Sequence, residues 1–196
     1  MGNIYTGIKF HTEFRNKTIL QSRLVDVIRH WSGVFARNNC APAVPGGFGG
    51  NLSCREGEGF LITASGANLA DLTAEQIVRI CHIDQDNLNV VAEGCLEPSS
   101  ETLLHGAIYQ ARTEINAVFH GHYPIFEANF STLGYRITEN EAEYGSLQLV
   151  QEALAILGNE KFILLRNHGF ISMGTSPEEA GNTIMDILRS LGLKIQ

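Results

Sequence analysis

Positive charge is scarce in this chain, long apolar runs are absent, and the four cysteines never come in close pairs. With 14 Lys+Arg against 21 Asp+Glu and a formal net charge of −7, the surface has no broad cationic field to attract a phosphate backbone, which argues against nucleic acid as a partner. No stretch approaches the roughly 20 apolar residues that cross a bilayer, so no membrane partner is expected. The opening MGNIYTGIKFHTEF lacks the basic start and apolar centre of a secretory signal, and a cytoplasmic location is expected. Cys40, Cys54, Cys81 and Cys95 stand 14, 27 and 14 residues apart, without the tight pairs of zinc knuckles and redox motifs. Reduced, mostly buried thiols are expected; the rival reading, a disulfide framework, belongs to shorter chains that need staples. Repeats, charge blocks and low-complexity linkers are also missing. The 196 residues, 44% hydrophobic, are therefore expected to form one domain over 1–196.

What is present is an interleaving of helical and strand-like periods. Leu20, Leu24, Val27, Ile28, Trp31, Val34 and Phe35 recur near i, i+3, i+4, i+7 and predict an amphipathic helix over 18–36. The Gly/Pro-rich RNNCAPAVPGGFGGN predicts an irregular loop. Leu52–Arg55 and Phe60–Thr63 flank the turn EGEG and predict a hairpin leading into TASGANL. Thr73 and Gln76 form a capping box, with Ile77, Ile80 and Cys81 as the inward face of a predicted helix. PSSETLLHGAIYQAR (98–112) predicts a serine-capped helix, INAVFHGH a strand, SLQLVQEALAIL a helix, and FILLRNHGFISMG two strands about a tight turn. Ser176, Pro177 and Glu179 open a last helix with an N-cap, an N1 proline and a capping-box glutamate. Helices alternating with strands point to α/β layers.

His120 and His122, two apart in a predicted strand, project from one face with Cα atoms about 7 Å apart, a separation that suits one shared metal ion. A solvated or core pair is the plainer reading. A third histidine, His168, sits in the turn Asn167-His168-Gly169, and strand-end turns are where sites gather. Glu101, at the start of the helix that hands into the His120 strand, could complete a three-nitrogen, one-oxygen set, which suits zinc. Its alternative is a first-turn glutamate answering the helix dipole. His11, His30, His82 and His105 have no partner spacing; His105 faces the Glu101 turn as the one ambiguous case.

Three segments offer groups for an anion: Gly49-Gly50-Asn51, Ser65-Gly66, and Pro98-Ser99-Ser100 before a helix. Glycines let backbone amides approach, serine hydroxyls add orientable donors, and a helix start adds free N–H groups. Each alone is equally well read as an ordinary turn or cap.

Taken in order, Gly50-Asn51-Leu52-Ser53-Cys54-Arg55, Leu61-Ile62-Thr63-Ala64-Ser65-Gly66, Pro98-Ser99-Ser100-Glu101 with His105, His120-Gly121-His122 and Leu165-Arg166-Asn167-His168-Gly169 resemble the class II aldolase/adducin family, nearest its fuculose-phosphate-aldolase-like branch. The resemblance implies a three-layer α/β fold: a central mixed, mostly antiparallel sheet with helices on both faces, assembled as a homotetramer with sites between subunits. It implies that His120, His122, His168 and Glu101 bind Zn²⁺, that Glu101 is also the catalytic base, and that Asn51, Ser65, Gly66, Ser99 and Ser100 hold a substrate phosphate. The activity implied is zinc-dependent cleavage of a ketose 1-phosphate to dihydroxyacetone phosphate and an aldehyde, through an enediolate stabilised by the metal.

Two features depart from the pattern. Where the fuculose-phosphate enzymes carry an acidic tyrosine shortly before the Tyr144-Gly145-Ser146 segment, this chain has Glu141, which could protonate a leaving oxygen or could be a surface glutamate capping the helix at Gly145. Ile137-Thr138-Glu139-Asn140-Glu141 also resembles the segment around the catalytic glutamate of methylthioribulose-1-phosphate dehydratases, which makes dehydration the main enzymatic alternative. The last predicted helix lies close to Gln196, and no counterpart of the tyrosine-bearing tail of longer aldolases is expected. Pentulose-phosphate 4-epimerases resemble the chain but carry aspartate at the Glu101 place. A non-catalytic adducin-like module is the reading from another class, disfavoured because unneeded buried imidazoles cost desolvation.

Overall fold

Alternation along one strand sets the centre of the molecule. In Ala117–Gly121, Phe119 points to one side of the sheet and packs against Trp31 and Phe35, which leaves Val118 and His120 on the other. The computed structural model describes residues 8–44, 47–128 and 134–196, so residues 1–7 of the opening segment and Pro45-Gly46 of the glycine-rich loop lie outside the described residues. The chain runs β1 (His11–Asn16), α1 (Arg23–Arg37), β2 (Ala43–Val44), β3 (Gly47–Phe48), β4 (Asn51–Glu56), β5 (Gly59–Thr63), β6 (Ile77–Asp84), β7 (Asn89–Glu93), α2 (Thr102–Ala111), β8 (Ala117–Gly121), α3 (Pro124–Ala128), β9 (Arg136–Ile137), α4 (Leu147–Leu157), β10 (Phe162–Leu165), β11 (Gly169–Gly174) and α5 (Pro177–Ser190).

Among the described residues nine strands form one sheet in the order β1-β7-β6-β5-β4-β8-β11-β10-β9, with β2 and β3 as a separate small hairpin. Its interior is antiparallel and only the two edge strands pair in parallel, β1 with β7 and β9 with β10. Helices cover both faces. On one side α1 contacts β4 and α5 contacts β8 and β11, over the aromatic cluster of Trp31, Phe35, Phe119 and Phe170. On the other, α2 packs with α4 and lays His105 and Tyr109 on Ser53 of β4. This is the mixed, mostly antiparallel three-layer arrangement expected.

The hairpin β4–β5, the pair β10–β11 and helices α4 and α5 fall where the periodicities place them. Ser176 caps α5 by accepting from the Glu179 amide at 3.2 Å. Three expectations need correction. The first helix starts at Arg23 rather than 18, because Ser22 is extended and its hydroxyl accepts from the Leu24 amide. The helix expected after Thr73 is instead a single 3₁₀ turn, Ala74–Gln76, followed by strand β6. The capping contact exists, Thr73 N–H donating to Gln76 Oε1 at 3.1 Å, but Ile77, Val78, Ile80 and Ile83 are β-branched and find partners in β5 and β7, which overrides the local helix signal. Finally, the helix expected from Pro98 begins at Thr102 with Glu101 at its N-cap. Pro98 bridges Ala64 and the Ser99 amide donates to the Thr63 carbonyl at 3.1 Å, while the Ser99 hydroxyl accepts from the Glu101 amide at 3.3 Å, so Ser99 ties the sheet end to the helix start without itself being the N-cap.

Candidate metal centre

Antiparallel pairing brings distant sequence together at one end of β8. His120 stands opposite Asn51 of β4 on one side and opposite Ile171 of β11 on the other. His122 is one residue past the end of β8, and its amide donates to the Cys40 carbonyl at 2.9 Å. The turn that carries His168 runs directly into β11. It fits against β8 only because both crossing points are glycine: a Cβ on Gly169 would stand 2.3 Å from the Gly121 carbonyl oxygen, and one on Gly121 would stand 2.5 Å from Cζ of Phe170 and 2.7 Å from the Cys40 carbonyl oxygen.

The three imidazoles converge. Nε2 of His120 and Nε2 of His122 are 2.9 Å apart, and one ligand nitrogen from each of His120, His122 and His168 falls within 4.8 Å of the others. Glu101 closes the group: Oε2 is 3.1 Å from Nε2 of His120 and Oε1 is 3.2 Å from Nε2 of His168. It makes no side-chain cap hydrogen bond to its own helix, so the dipole-answering reading does not describe where its carboxylate points. Nδ2 of Asn51 donates to Glu101 Oε2 at 2.7 Å, a contact that no sequence pattern signalled.

Burial governs the charge states. His120 is fully buried and Glu101 is 3% exposed. Desolvation pushes His120 down to about 4 against the opposing pull of Glu101, and pushes His122 down to about 3, aided by the neighbouring imidazoles. Burial also works against a charged Glu101, but the facing His120 and His168 and the hydrogen bonds from His168 and Asn51 outweigh it and hold the carboxyl well below its ordinary range. A neutral His120 donates from Nδ1 to the Phe170 carbonyl at 2.9 Å, which leaves the lone pair on Nε2 facing the cluster. That lone pair stands 3.1 Å from the carboxylate oxygen Oε2 of Glu101, and two electron-rich atoms this close are relieved by a cation lying before both. Three imidazole nitrogens and a carboxylate are also the donor set of a tetrahedral zinc site. Asn51 Oδ1 and His168 Nδ1 are buried without a hydrogen-bond partner, as expected of a site whose remaining ligands come from outside the chain. The residues therefore fit a divalent metal.

The segments expected to hold an anion gather at the same end of the sheet. The Ala64–Pro98 bridge sets Ser65-Gly66 beside Ser99-Ser100, and the Leu52 amide donates to Thr63 Oγ1 at 3.3 Å, placing Asn51 one step away. Ser99 and Ser100 are 4% and 7% exposed. Glu141 is exposed; its Oε2 accepts from Nδ2 of Asn167, the residue before His168, at 2.8 Å. The helix start near Gly145 is capped by Ser146, not by Glu141. Beside Glu141, Thr138 accepts from the Arg166 amide through Oγ1 at 2.9 Å and from Arg166 Nε through its carbonyl at 3.0 Å. The Thr138–Glu141 segment is thus tied to the His168 turn.

Comparison with known proteins agrees with this geometry. A family model described as the class II aldolase and adducin N-terminal domain matches residues 42–193. The chain is 35% identical over 150 residues to the 5-methylthioribulose-1-phosphate/5-deoxyribulose-1-phosphate aldolase of Rhodospirillum rubrum, covering 68% of this chain and 65% of that one. It is 34% identical over 149 residues to an L-fuculose phosphate aldolase of Methanococcus maripaludis, covering 68% and 77%. The match thus spans just under two thirds of the R. rubrum protein. A solved structure of an L-fuculose 1-phosphate aldolase superposes with a TM-score of 0.68 at 23% identity, over 91% of each chain, a likeness of fold.

Proposed function

Because this chain belongs to the class II aldolase and adducin family, we propose that it is a metal-dependent lyase that splits a ketose 1-phosphate into dihydroxyacetone phosphate and an aldehyde. The observation that carries this reading is the meeting of His120, His122, His168 and Glu101 at one buried point. The names of the two relatives share an aldol cleavage of a phosphorylated deoxysugar or its thiomethyl analogue, which supports the phosphate end as the common handle.

In this reading Zn²⁺ is held by the three imidazoles and Glu101 and, when bound, acts as a Lewis acid that polarises the ketone and stabilises negative charge developing beside it. The chain's own residues do the rest. Asn51, Ser65, Gly66, Ser99 and Ser100 grip the phosphate through amides and hydroxyls, fixing the distance from anchor to reacting carbons. As the C3–C4 bond breaks, Glu101 takes the proton of the C4 hydroxyl, whose oxygen becomes the aldehyde carbonyl, and returns that proton to C3 next to the ketone. A homotetramer with sites shared between neighbours, a single domain over 1–196 and a cytoplasmic location belong to the same proposal.

Glu141 favours a second reading, loss of water from methylthioribulose 1-phosphate, because its hydrogen bond to Asn167 keeps a carboxyl beside the His168 turn. Incubating the zinc-loaded protein with fuculose 1-phosphate and with methylthioribulose 1-phosphate separates the two. Release of triose phosphate from either supports cleavage, whereas a diketone phosphate without triose phosphate overturns it in favour of dehydration.

A further inference from the structure

Two residues along from the Asn51–His120 pair, the sheet carries a second polar rung that the proposed reaction leaves unused. Ser53 stands opposite Val118, and its Oγ lies 2.7 Å from His105 Nδ1 and 2.8 Å from the Tyr109 hydroxyl, and donates to the Val118 carbonyl at 3.3 Å. Ser53 and His105 are fully buried and Tyr109 nearly so. His105 follows Glu101 by four residues on α2, and its amide donates to the Glu101 carbonyl at 3.2 Å.

The spacings match. Four residues of helix rise about 6 Å, and two residues of strand advance about 6.7 Å. So α2 lies along β4 with Glu101 bonded to Asn51 and His105 bonded to Ser53, one contact at each end of a single helical turn. Two fixed points on one turn remove both sliding along the helix axis and rotation about it. We propose that His105, anchored by Ser53, is a positioning residue that sets the register of α2 on the sheet and so holds the Glu101 carboxylate among the imidazoles. This rests on the reading of Glu101 as metal ligand and base.

Packing alone does not account for a histidine here. Its Nε2 is buried with no hydrogen-bond partner, so the ring carries a desolvation cost that only the Ser53 contact offsets. An apolar side chain of similar volume would avoid that cost. A merely structural His105 would therefore be replaced by leucine without harm to the metal site.

The test compares His105→Leu, Ser53→Ala, His105→Asn and Glu101→Gln. The readouts are zinc affinity by chelator competition, the visible spectrum of the cobalt-substituted protein, thermal midpoint, and kcat against KM. His105→Leu and Ser53→Ala are each expected to weaken zinc binding about tenfold to hundredfold, the usual effect of removing a residue that orients a ligand. They should shift the cobalt bands in the same direction as Glu101→Gln and lower kcat more than they raise KM. The thermal midpoint of the metal-free His105→Leu protein should be unchanged or higher. His105→Asn, whose amide stands near the place of Nδ1, should recover zinc affinity to within about threefold of the parent protein. Wild-type zinc affinity and cobalt bands in both His105→Leu and Ser53→Ala overturn the proposal, as does His105→Asn behaving like His105→Leu. If Glu101→Gln alone alters the cobalt bands, only the positioning role falls. If Glu101→Gln too leaves metal binding unaltered, the ligand reading of Glu101 falls with it.

Discussion

His122 illustrates what single residues contribute to this site. It lies one position beyond β8 and is only partly buried, so its side chain adds a nitrogen to the cluster while supporting little of the core. His122→Ala should therefore abolish retention of zinc and reduce turnover to background while leaving the far-ultraviolet circular dichroism unchanged. Full zinc stoichiometry and turnover in that variant would refute the ligand assignment. The thiols give a second residue-scale expectation. Burial pushes Cys40 and Cys54 up to about 12, with Glu178 adding to the effect at Cys54, so neither forms a reactive thiolate at pH 8. Cys81 and Cys95 are partly exposed. A thiol reagent should titrate at most two groups in the native protein and four after unfolding, and four in the native state would contradict this burial. Of the site, the His120–His122 pairing is legible because a period of two puts both rings on one face. The Asn51–Glu101 bond is not, since nothing periodic in a sequence tells which way a carboxylate at a helix start turns.

Elements bring in what single residues cannot. Strands β8, β10 and β11 and helices α4 and α5 are each legible by their own period, whereas α3 and β9 are not; the arrival of His168 at His120 depends on β11 returning antiparallel beside β8, and periodicity carries no information about neighbours. Competition between periods also explains the clearest miss. Ile77, Ile80 and Cys81 fit a helix, but Ile77–Asp84 has β5 on one side and β7 on the other, and pairing on both edges outweighs a local cap. The parallel edge strand β1 is not legible, because HTEFRN is mostly polar and has no strong core-facing alternation. The β8–β11 crossing yields a prediction at this scale. Gly169→Ala drives a methyl group to 2.3 Å from the Gly121 carbonyl oxygen, which the strands can relieve only by separating. A loss of about 1–3 kcal/mol of stability is expected, as for other forced insertions into packed regions. Because the turn before Gly169 carries His168, zinc affinity should fall with it. A urea-unfolding midpoint and a zinc titration both equal to the parent's would show that the crossing tolerates the methyl and does not set the His168 position.

For the whole molecule, the consequence of a buried imidazole group is a stability that depends on pH. His105 and His120 are pushed down to about 4 and His122 to about 3, chiefly by desolvation, whereas in the unfolded chain each returns to about 6.5. Between those values the unfolded state binds more protons than the folded one, so stability rises with pH through that window. It is complete above about 6.5 and drains away as pH falls toward 4 and then 3. At pH 5 the gap of about 1.5 units corresponds to on the order of 2 kcal/mol for each imidazole that stays neutral. Glu101, held low, has the same sign in a more acidic window: its contribution is present above the ordinary carboxylate range and lost as pH drops through its own depressed value. The metal-free protein should thus unfold at markedly lower urea concentration at pH 5 than at pH 7.5. His122→Ala should flatten part of that difference, because it removes one of the three groups that must charge. Zinc acts on the same balance: at a free concentration 100 times its dissociation constant it adds about 2.7 kcal/mol, and it does so only where the imidazoles are neutral, so its stabilising effect should shrink as the pH is lowered. Equal urea midpoints at the two pH values in the metal-free protein, or a zinc effect that grows on acidification, would mean that His105, His120 and His122 are not held neutral, and that desolvation does not ready His120 and His122 as ligands.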